Sequence, residues 1–429
     1  MDRYEVRPLK GADDITVSVP GSKSITNRAL LLAAMCTGSC TLTGVLFSDD
    51  SRAFLSCLKE LGFSLLIDEE NRTVSISGTG GSIPNREASV NVGSAGTAAR
   101  FLTVFLAFAG GRYHLDASPQ MRKRPMEPLI SVLKAAGVDI TCEGEEGHFP
   151  FLLSSEGINA CELTIDTDLS SQFASAILMA APLLNGGLRV ILSGSRTKGS
   201  YIGITLKMME QFGFGYERDG DVITVRAGSP KALSLYRIEP DVSAACYFYA
   251  MSPLCDKKVC VRNVHPDSMQ GDMKFLDALK LLGCTVKDGE EGITVFPPSG
   301  TGFKGIEINM QDFSDQAMTM AVLSAFAKSP TKIYGIGHIR LQESDRLKAI
   351  ITELNRLGCK CGAIEDETGI LIEPAPMHGA DIETYDDHRM AMAFALAGLR
   401  VAGVTILNPL CCKKTFEDYF DVLDSITVS

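Results

Sequence analysis

The sequence predicts an α/β protein of two similar lobes, each built from three copies of a unit of about 73 residues. Three observations lead there. Amphipathic segments end in glycine at a near-constant interval, a second set of short helices is apolar almost all round, and β-like stretches follow the first set.

The first set comprises residues 54–62, 129–137, 205–213, 275–283 and 350–358. The closing glycines, Gly62, Gly137, Gly213, Gly283 and Gly358, stand 75, 76, 70 and 75 residues apart by difference. Each segment reads as a surface helix with one apolar stripe and a glycine C-cap. Short β-like stretches follow at 74–77, 222–225, 293–296 and 370–372, and a degenerate sixth copy fits 419–423. The second set lies at 29–35, 98–109, 173–184, 244–254, 317–327 and 390–399. Helices of that length and character are buried in protein, not in lipid. Six units in 429 residues give two lobes of three.

Each interior helix carries a polar residue near its start: Ser24, Thr97, Ser171, Ser243, Asp315 and His388, at intervals of 73, 74, 72, 72 and 73 by difference. Ser, Thr and Asp there read as ordinary N-caps, and for Ser243 that is the plain expectation. Lys23, Arg28, Arg100 and Arg389 crowd the same helix starts. A cation at the positive end of a helix is disfavoured by a few tenths to about 1 kcal/mol unless an anion lies there. The repetition therefore points to anion binding at helix N-termini.

Composition bounds the function. The chain is 45% hydrophobic and 22% charged, with 40 Gly and no Trp, as in a globular protein. A formal charge of −11 argues against nucleic acid or an anionic membrane as the main partner, though not against small anions. No apolar run reaches the ~18 residues of a membrane span, and the first residues do not read as a signal peptide. An odd count of 13 Cys without an export signal suggests reduced thiols and a cytoplasmic protein. Cys359/Cys361 and Cys411/Cys412 lack zinc-type spacing, and no metal or cofactor is expected.

The segment 20–29, Pro-Gly-Ser-Lys-Ser-Ile-Thr-Asn-Arg-Ala, opens the first interior helix with an ammonium, hydroxyls and a guanidinium, without the spacing of a Walker A loop. With it go Gly93-Ser94-Ala95-Gly96-Thr97-Ala98-Ala99-Arg100; Arg124-Pro125; Ser170-Ser171-Gln172-Phe173; Asp315 with Ala317-Met318-Thr319; Glu343-Ser344-Asp345-Arg346-Leu347; Asp387-His388-Arg389-Met390-Ala391-Met392; and Lys414-Thr415-Phe416. In this order, from about residue 15 to the end, the chain resembles the 5-enolpyruvylshikimate-3-phosphate synthases of the enolpyruvyl transferase family.

The resemblance implies two lobes, each of three βαβαββ repeats around buried parallel helices, an inside-out α/β barrel. It puts the crossings near Pro20 and near Glu239-Pro240-Asp241, so that residues 1–20 join 240–429 and leave 21–239 as the other lobe. It also implies transfer of the enolpyruvyl group of phosphoenolpyruvate to the 5-hydroxyl of shikimate 3-phosphate, through a tetrahedral ketal, with release of phosphate. Lys23, Gly96, Arg124, Gln172, Arg346, Arg389 and Lys414 would hold phosphoenolpyruvate. Lys23, Ser24, Arg28, Ser170, Ser171, Gln172, Tyr201, Asp315 and Gln342 would hold shikimate 3-phosphate, with a further hydroxyl from Thr197 or Ser200. Asp315 is the expected acceptor of the hydroxyl proton and Glu343 the acid and base at the methylene carbon, with Lys23 and His388 assisting. The chain is expected to act as a monomer whose lobes close on the first anion.

Plainer readings stand beside these. Arg346 would pair with Glu343 on one helix face, His388 and Asp315 would be caps or core residues, and Lys413 would be solvated. Gln342 stands where many members of the resembled family carry Lys, and His338 where some carry Asn. The sister enzymes that act on UDP-N-acetylglucosamine use a Cys in the loop corresponding to 118–128, which has none here. A non-catalytic anion-binding protein on the same scaffold is the rival from another class.

Overall fold

A computed structural model of the chain describes residues 2–11, 14–365 and 367–427. It divides into two compact units, Gly21–Ile238 and Met1–Pro20 with Glu239–Ser429.

In the unit Gly21–Ile238 the helices are α1 (Lys23–Met35), α2 (Asp49–Glu60), α3 (Gly96–Ala109), α4 (Pro119–Arg122), α5 (Glu127–Ala135), α6 (Ser171–Ala180) and α7 (Ser200–Gln211). The middle repeat shows the pattern most plainly. Glu87–Asn91 runs parallel to Gly111–Asp116, the two joined by α3. Gly111–Asp116 then pairs antiparallel with Phe151–Ser155, which pairs with Asp139–Cys142. In chain order this is βαβαββ. The third repeat does the same around α6 and α7. The first repeat takes its opening strand, Leu235–Arg237, from the far end of the unit, parallel to Thr37–Thr43. That strand closes the unit on itself.

The other unit holds α8 (Val242–Cys255), α9 (Lys274–Leu281), α10 (Ala317–Ser324), α11 (Arg346–Arg356), α12 (His388–Gly398) and α13 (Tyr419–Thr427). Ile15–Val17 lies parallel to Val259–Arg262 and opens the first sheet. Arg3–Glu5 lies antiparallel to Thr405–Leu407 in the last, reduced to three strands. Helices α1, α3 and α6 contact one another through α3, and α8, α10 and α12 form a mutually packed set. Their residues are buried nearly all round, as the absence of a polar stripe requires.

Gly62, Gly137, Gly213, Gly283 and Gly358 each sit one residue past a helix cap with φ of +87°, +93°, +86°, +92° and +96°. That left-handed state ends α2, α5, α7, α9 and α11 at the cost least for glycine. The polar residues spaced by about 73 are not the N-caps that local reading makes them. In five of the six the cap lies one or two residues earlier, and in α10 it is Gln316, one residue later. Asp241 Oδ1 accepts from Ser243 N at 2.8 Å, Ser170 Oγ from Gln172 N at 3.2 Å, and Asp387 Oδ1 from Arg389 N at 3.0 Å. Ser243 instead donates its hydroxyl to Asp272. Asp315 lies in the 3-10 turn Gln311–Gln316 that leads into α10. Helices α1 and α3 start after Ser22 and Ala95 with no side-chain cap. Among the described residues no helix is long and apolar enough to cross a membrane.

Candidate active site

The two largest fully buried side chains among the described residues are arginines, Arg28 and Arg346, each 1% exposed. A buried charge must find compensation. The two do so in different ways.

Arg28 lies within α1 of the unit Gly21–Ile238. Its Nε donates to Thr205 Oγ1 at 2.8 Å, Nη1 to the Ser24 carbonyl at 3.0 Å, and Nη2 to Ser175 Oγ at 3.1 Å and the Tyr201 carbonyl at 3.3 Å. The guanidinium also lies 5.2 Å from the centre of the Phe101 ring and 5.9 Å from that of Tyr201. Among the described residues it meets only neutral partners. Burial pulls its pKa down to about 10.

Around it, the helix starts gather cations and amides. Gly21 admits a close approach, since a Cβ there would stand 1.9 Å from the Gly44 carbonyl oxygen. Lys23 Nζ lies 3.4 Å from Asp50 Oδ2, whose other oxygen is buried with no partner among the described residues. At the uncapped start of α3, a Cβ on Gly96 would lie 2.9 Å from Arg124 Nη1 and 2.8 Å from Arg100 Nη1. Arg124 is half-buried and makes no ion pair among the described residues. Arg100 belongs to the core instead: it is 3% exposed, donates to the Gly96 carbonyl at 3.1 Å and stacks 5.7 Å from Phe173. It braces the Gly96 turn. Ser170 caps α6, Ser171 opens it, and Gln172 keeps a buried Oε1 without a partner among the described residues. Thr197 is 8% exposed and Ser200 opens α7.

Arg346 opens α11 in the other unit. Its Nε donates to Asp387 Oδ2 at 2.8 Å, Nη1 to Asp315 Oδ1 at 3.1 Å and to Gln342 Oε1, and Nη2 to Glu343 Oε2 at 2.8 Å and Asp387 Oδ1 at 3.3 Å. Burial alone would lower its pKa, but Asp387, Glu343 and Asp315 outweigh that and hold it above its ordinary value. Arg389 Nη2 takes the other Asp315 oxygen at 3.0 Å, and Lys414 Nζ lies 3.9 Å from Glu343 Oε1. The plain pairing of Arg346 with Glu343 is therefore present, as one part of a larger network.

That network bears on two of the residues expected to hold ligands. Arg346 faces a protein acceptor with every N–H it has, so a ligand reaches its fork only by displacing one of them. Gln342, expected as a contact to shikimate 3-phosphate, gives its side-chain oxygen to Arg346, four residues on in the chain. His388 is 1% exposed, with Nδ1 3.9 Å from Asp387 Oδ1.

Sequence reasoning missed three carboxylates. Asp50 holds Lys23, and Asp387 anchors Arg346 while also accepting from Ser344 Oγ at 3.0 Å. Asp272 accepts from Gln316 Nε2 at 3.0 Å and from Ser243. Burial, with Asp315 adding to it, pushes its carboxyl up from 3.8 to about 6 against the opposing pull of Arg389. Asp50 in a first helical turn reads as ordinary dipole compensation. The partners of Asp272 lie tens of residues away, beyond any local signal. Among the described residues no group of three or more His, Cys, Asp or Glu is placed to hold a metal ion.

Comparison with known proteins agrees over nearly the whole chain. Residues 8–423 match the family model described as EPSP synthase (3-phosphoshikimate 1-carboxyvinyltransferase). A 3-phosphoshikimate 1-carboxyvinyltransferase of Trichormus variabilis is 40% identical over 421 residues, 98% of each chain. The chloroplastic protein of that name from Brassica napus is 38% identical over 427 residues, covering 96% of this chain and 83% of its own. Among solved structures, an EPSP synthase from Acinetobacter baumannii superposes with a TM-score of 0.83 at 23% identity, over 100% of this chain and 99% of that one. The enolpyruvyl transferase NikO from Streptomyces tendae does so with a TM-score of 0.75 at 18% identity, over 99% and 96%. The fold is thus the α/β fold of the enolpyruvyl transferases, and the chain belongs to the EPSP synthase family.

Proposed function

We propose that the chain transfers the enolpyruvyl group of phosphoenolpyruvate to the 5-hydroxyl of shikimate 3-phosphate and releases phosphate, a step of the shikimate pathway to aromatic amino acids. The observation that carries this reading, beside the family, is Arg28: a guanidinium 1% exposed with only neutral partners among the described residues. Such a group calls for an anion. Shikimate 3-phosphate carries a carboxylate and a phosphate. Its ligands in this reading are Lys23, Ser24, Arg28, Ser170, Ser171, Gln172, Tyr201, Asp315 and Gln342. Phosphoenolpyruvate falls to Lys23, Gly96, Arg124, Gln172, Arg346, Arg389 and Lys414.

The chemistry proceeds by addition and elimination. Asp315 takes the proton of the 5-hydroxyl as that oxygen attacks C2 of phosphoenolpyruvate. Glu343 delivers a proton to the methylene carbon, giving a tetrahedral ketal with a methyl group. Glu343 then removes a proton from the methyl as the C–O bond to phosphate breaks. Lys23 and the arginine forks receive the charge that gathers on the departing phosphate, and His388 assists.

The ion network of Arg346 fits this sequence. Asp315 and Glu343 occupy guanidinium forks that a substrate carboxylate or phosphate matches equally well. An arginine partner favours the ionised carboxylate. The arriving donor takes over the forks and frees both protein carboxylates for proton transfer.

A phosphate-release assay with both substrates tests the reading, on the parent chain and on Lys23→Ala and Glu343→Ala. Release that needs both substrates and collapses in both variants supports it. Tight binding of shikimate 3-phosphate without phosphate release would instead favour a non-catalytic anion-binding protein. Sedimentation with both substrates checks the monomer.

A further inference from the structure

The residues just before α12 are strained. Asp387 N donates to the Thr384 carbonyl at 2.9 Å and closes a turn whose two central residues, Tyr385 and Asp386, have φ of +55° and +57°. Two successive left-handed positions suit Asn and Gly. A tyrosine there is unusual, and each such residue costs about 1–2 kcal/mol. Backbone of this kind persists only where its surroundings over-determine it.

Glu353, on α11, supplies those surroundings. It is 0% exposed. Its Oε1 accepts from the Tyr385 hydroxyl at 2.7 Å. Its Oε2 accepts from Glu383 N at 3.2 Å and lies 3.2 Å from Arg356 Nη1, which also donates to the Asp381 carbonyl at 2.9 Å. Asn408 Nδ2 steadies the far side of the turn through Asp386 Oδ1 at 3.1 Å. Three consecutive residues then leave the turn: Asp387, which grips Arg346 and caps α12, then His388, and Arg389, which reaches Asp315. A buried carboxylate is costly to keep, and burial raises the pKa of this one. Its contacts converge on one strained turn and touch no group of the ion network directly.

We propose that Glu353 is a positioning residue for the reaction: by clamping the left-handed Tyr385–Asp386 turn it aims Asp387 and Arg389 at Arg346 and Asp315. This rests on the assignment of Arg346 and Arg389 to phosphoenolpyruvate. Relaxation of the turn moves Arg389 and leaves the Arg28 ligand set untouched.

The test compares Glu353→Gln, which keeps shape and loses charge, with the milder Tyr385→Phe. Hydrogen exchange of the peptide spanning 384–390 reads the turn directly. Steady-state kinetics read its consequence, and calorimetry without donor reads shikimate 3-phosphate binding. In Glu353→Gln, exchange at 384–390 is expected to rise at least tenfold. kcat/KM for phosphoenolpyruvate should fall by about 10–100-fold, as misplacement of a catalytic group does. The dissociation constant of shikimate 3-phosphate should change by less than threefold. Tyr385→Phe should do the same to a smaller extent. A glycine in the strained position does not need the clamp, so Glu353→Gln with Tyr385→Gly should recover most of the lost kcat/KM. A lowered melting temperature with unchanged kcat and KM would overturn the proposal, as would unchanged exchange at 384–390 or no recovery in the glycine double variant. If the parent chain released no phosphate, the functional reading would fail by itself, and the exchange arm would still decide whether Glu353 holds the turn.

Discussion

Asp272→Asn should stabilise the protein at alkaline pH and slow it. Asp272 sits in the turn Gly271–Met273, 7% exposed, with a carboxyl pushed up from 3.8 to about 6. Between those two values the folded protein keeps a proton that the unfolded chain has released. Stability therefore falls as pH rises through that window and stays lowered above it. At about 1.4 kcal/mol per tenfold change in acidity, the ionised carboxylate costs the fold about 3 kcal/mol at pH 8. Asparagine cannot ionise but keeps an oxygen for the Ser243 hydroxyl. The Ser243 and Gln316 bonds to the charged form are already contained in that figure, so the net gain at pH 8 is about 2–3 kcal/mol. In a domain of this size 1 kcal/mol shifts the melting temperature by about 2–4 °C. Melting followed by circular dichroism should thus rise by several degrees at pH 8 and not at all at pH 3, below both values, where the carboxyl is protonated in the folded and the unfolded chain alike. The same change removes a negative charge that acts on Asp315 and Arg389, so turnover should fall while stability rises. An equal shift of melting at both pH values, or a loss at pH 8, would refute the reasoning.

Three further outcomes follow from the geometry. Arg28→Met removes a cation that the core solvates poorly and leaves Thr205 and Ser175 bonded to each other at 2.9 Å; melting should change little, while calorimetry should show shikimate 3-phosphate binding weakened by about 2 kcal/mol or more. Gly96→Ala places a methyl against the ends of Arg100 and Arg124; both can shift, so the fold should survive, and KM for phosphoenolpyruvate should rise several-fold. Gly21→Ala meets backbone, the Gly44 carbonyl, which cannot give; a loss of about 2 kcal/mol or more in urea unfolding is expected.

The repeat was legible because its signals are local. An apolar stripe closed by glycine is written within a dozen residues, and all five glycines take the left-handed state that ends a helix. The interior helices were legible for the same reason. The caps were not, because equal spacing marks an equivalent place in the repeat and not the residue whose oxygen meets the first amides. Ser243 and Asp241 differ by two positions, and it is Asp241 that meets the first amides while Ser243 turns to Asp272. Chain order carried the residues of the ion network, but not their state. Nothing near Gln342 in the sequence says that its oxygen turns to Arg346, and nothing near Glu353 says that Tyr385 lies above it.

The contrast between the two buried arginines suggests a division of labour. A guanidinium with neutral neighbours is held ready for a permanent anion: burial weakens its hold on the proton, and any carboxylate or phosphate that arrives relieves that burial cost. A guanidinium already gripped by Asp387, Glu343 and Asp315 gains little charge compensation from one more anion. What an incoming anion changes there is the state of the carboxylates it displaces. Asp387, 0% exposed and bonded through both oxygens, is the partner least able to leave. Asp315 and Glu343, at 13% and 15%, are the ones that can. The proposed reaction needs a mobile proton at two places and a fixed cation at the departing phosphate, and with the proposed roles of Asp315, Glu343 and Arg346 this gradation of burial would separate the two requirements within one network.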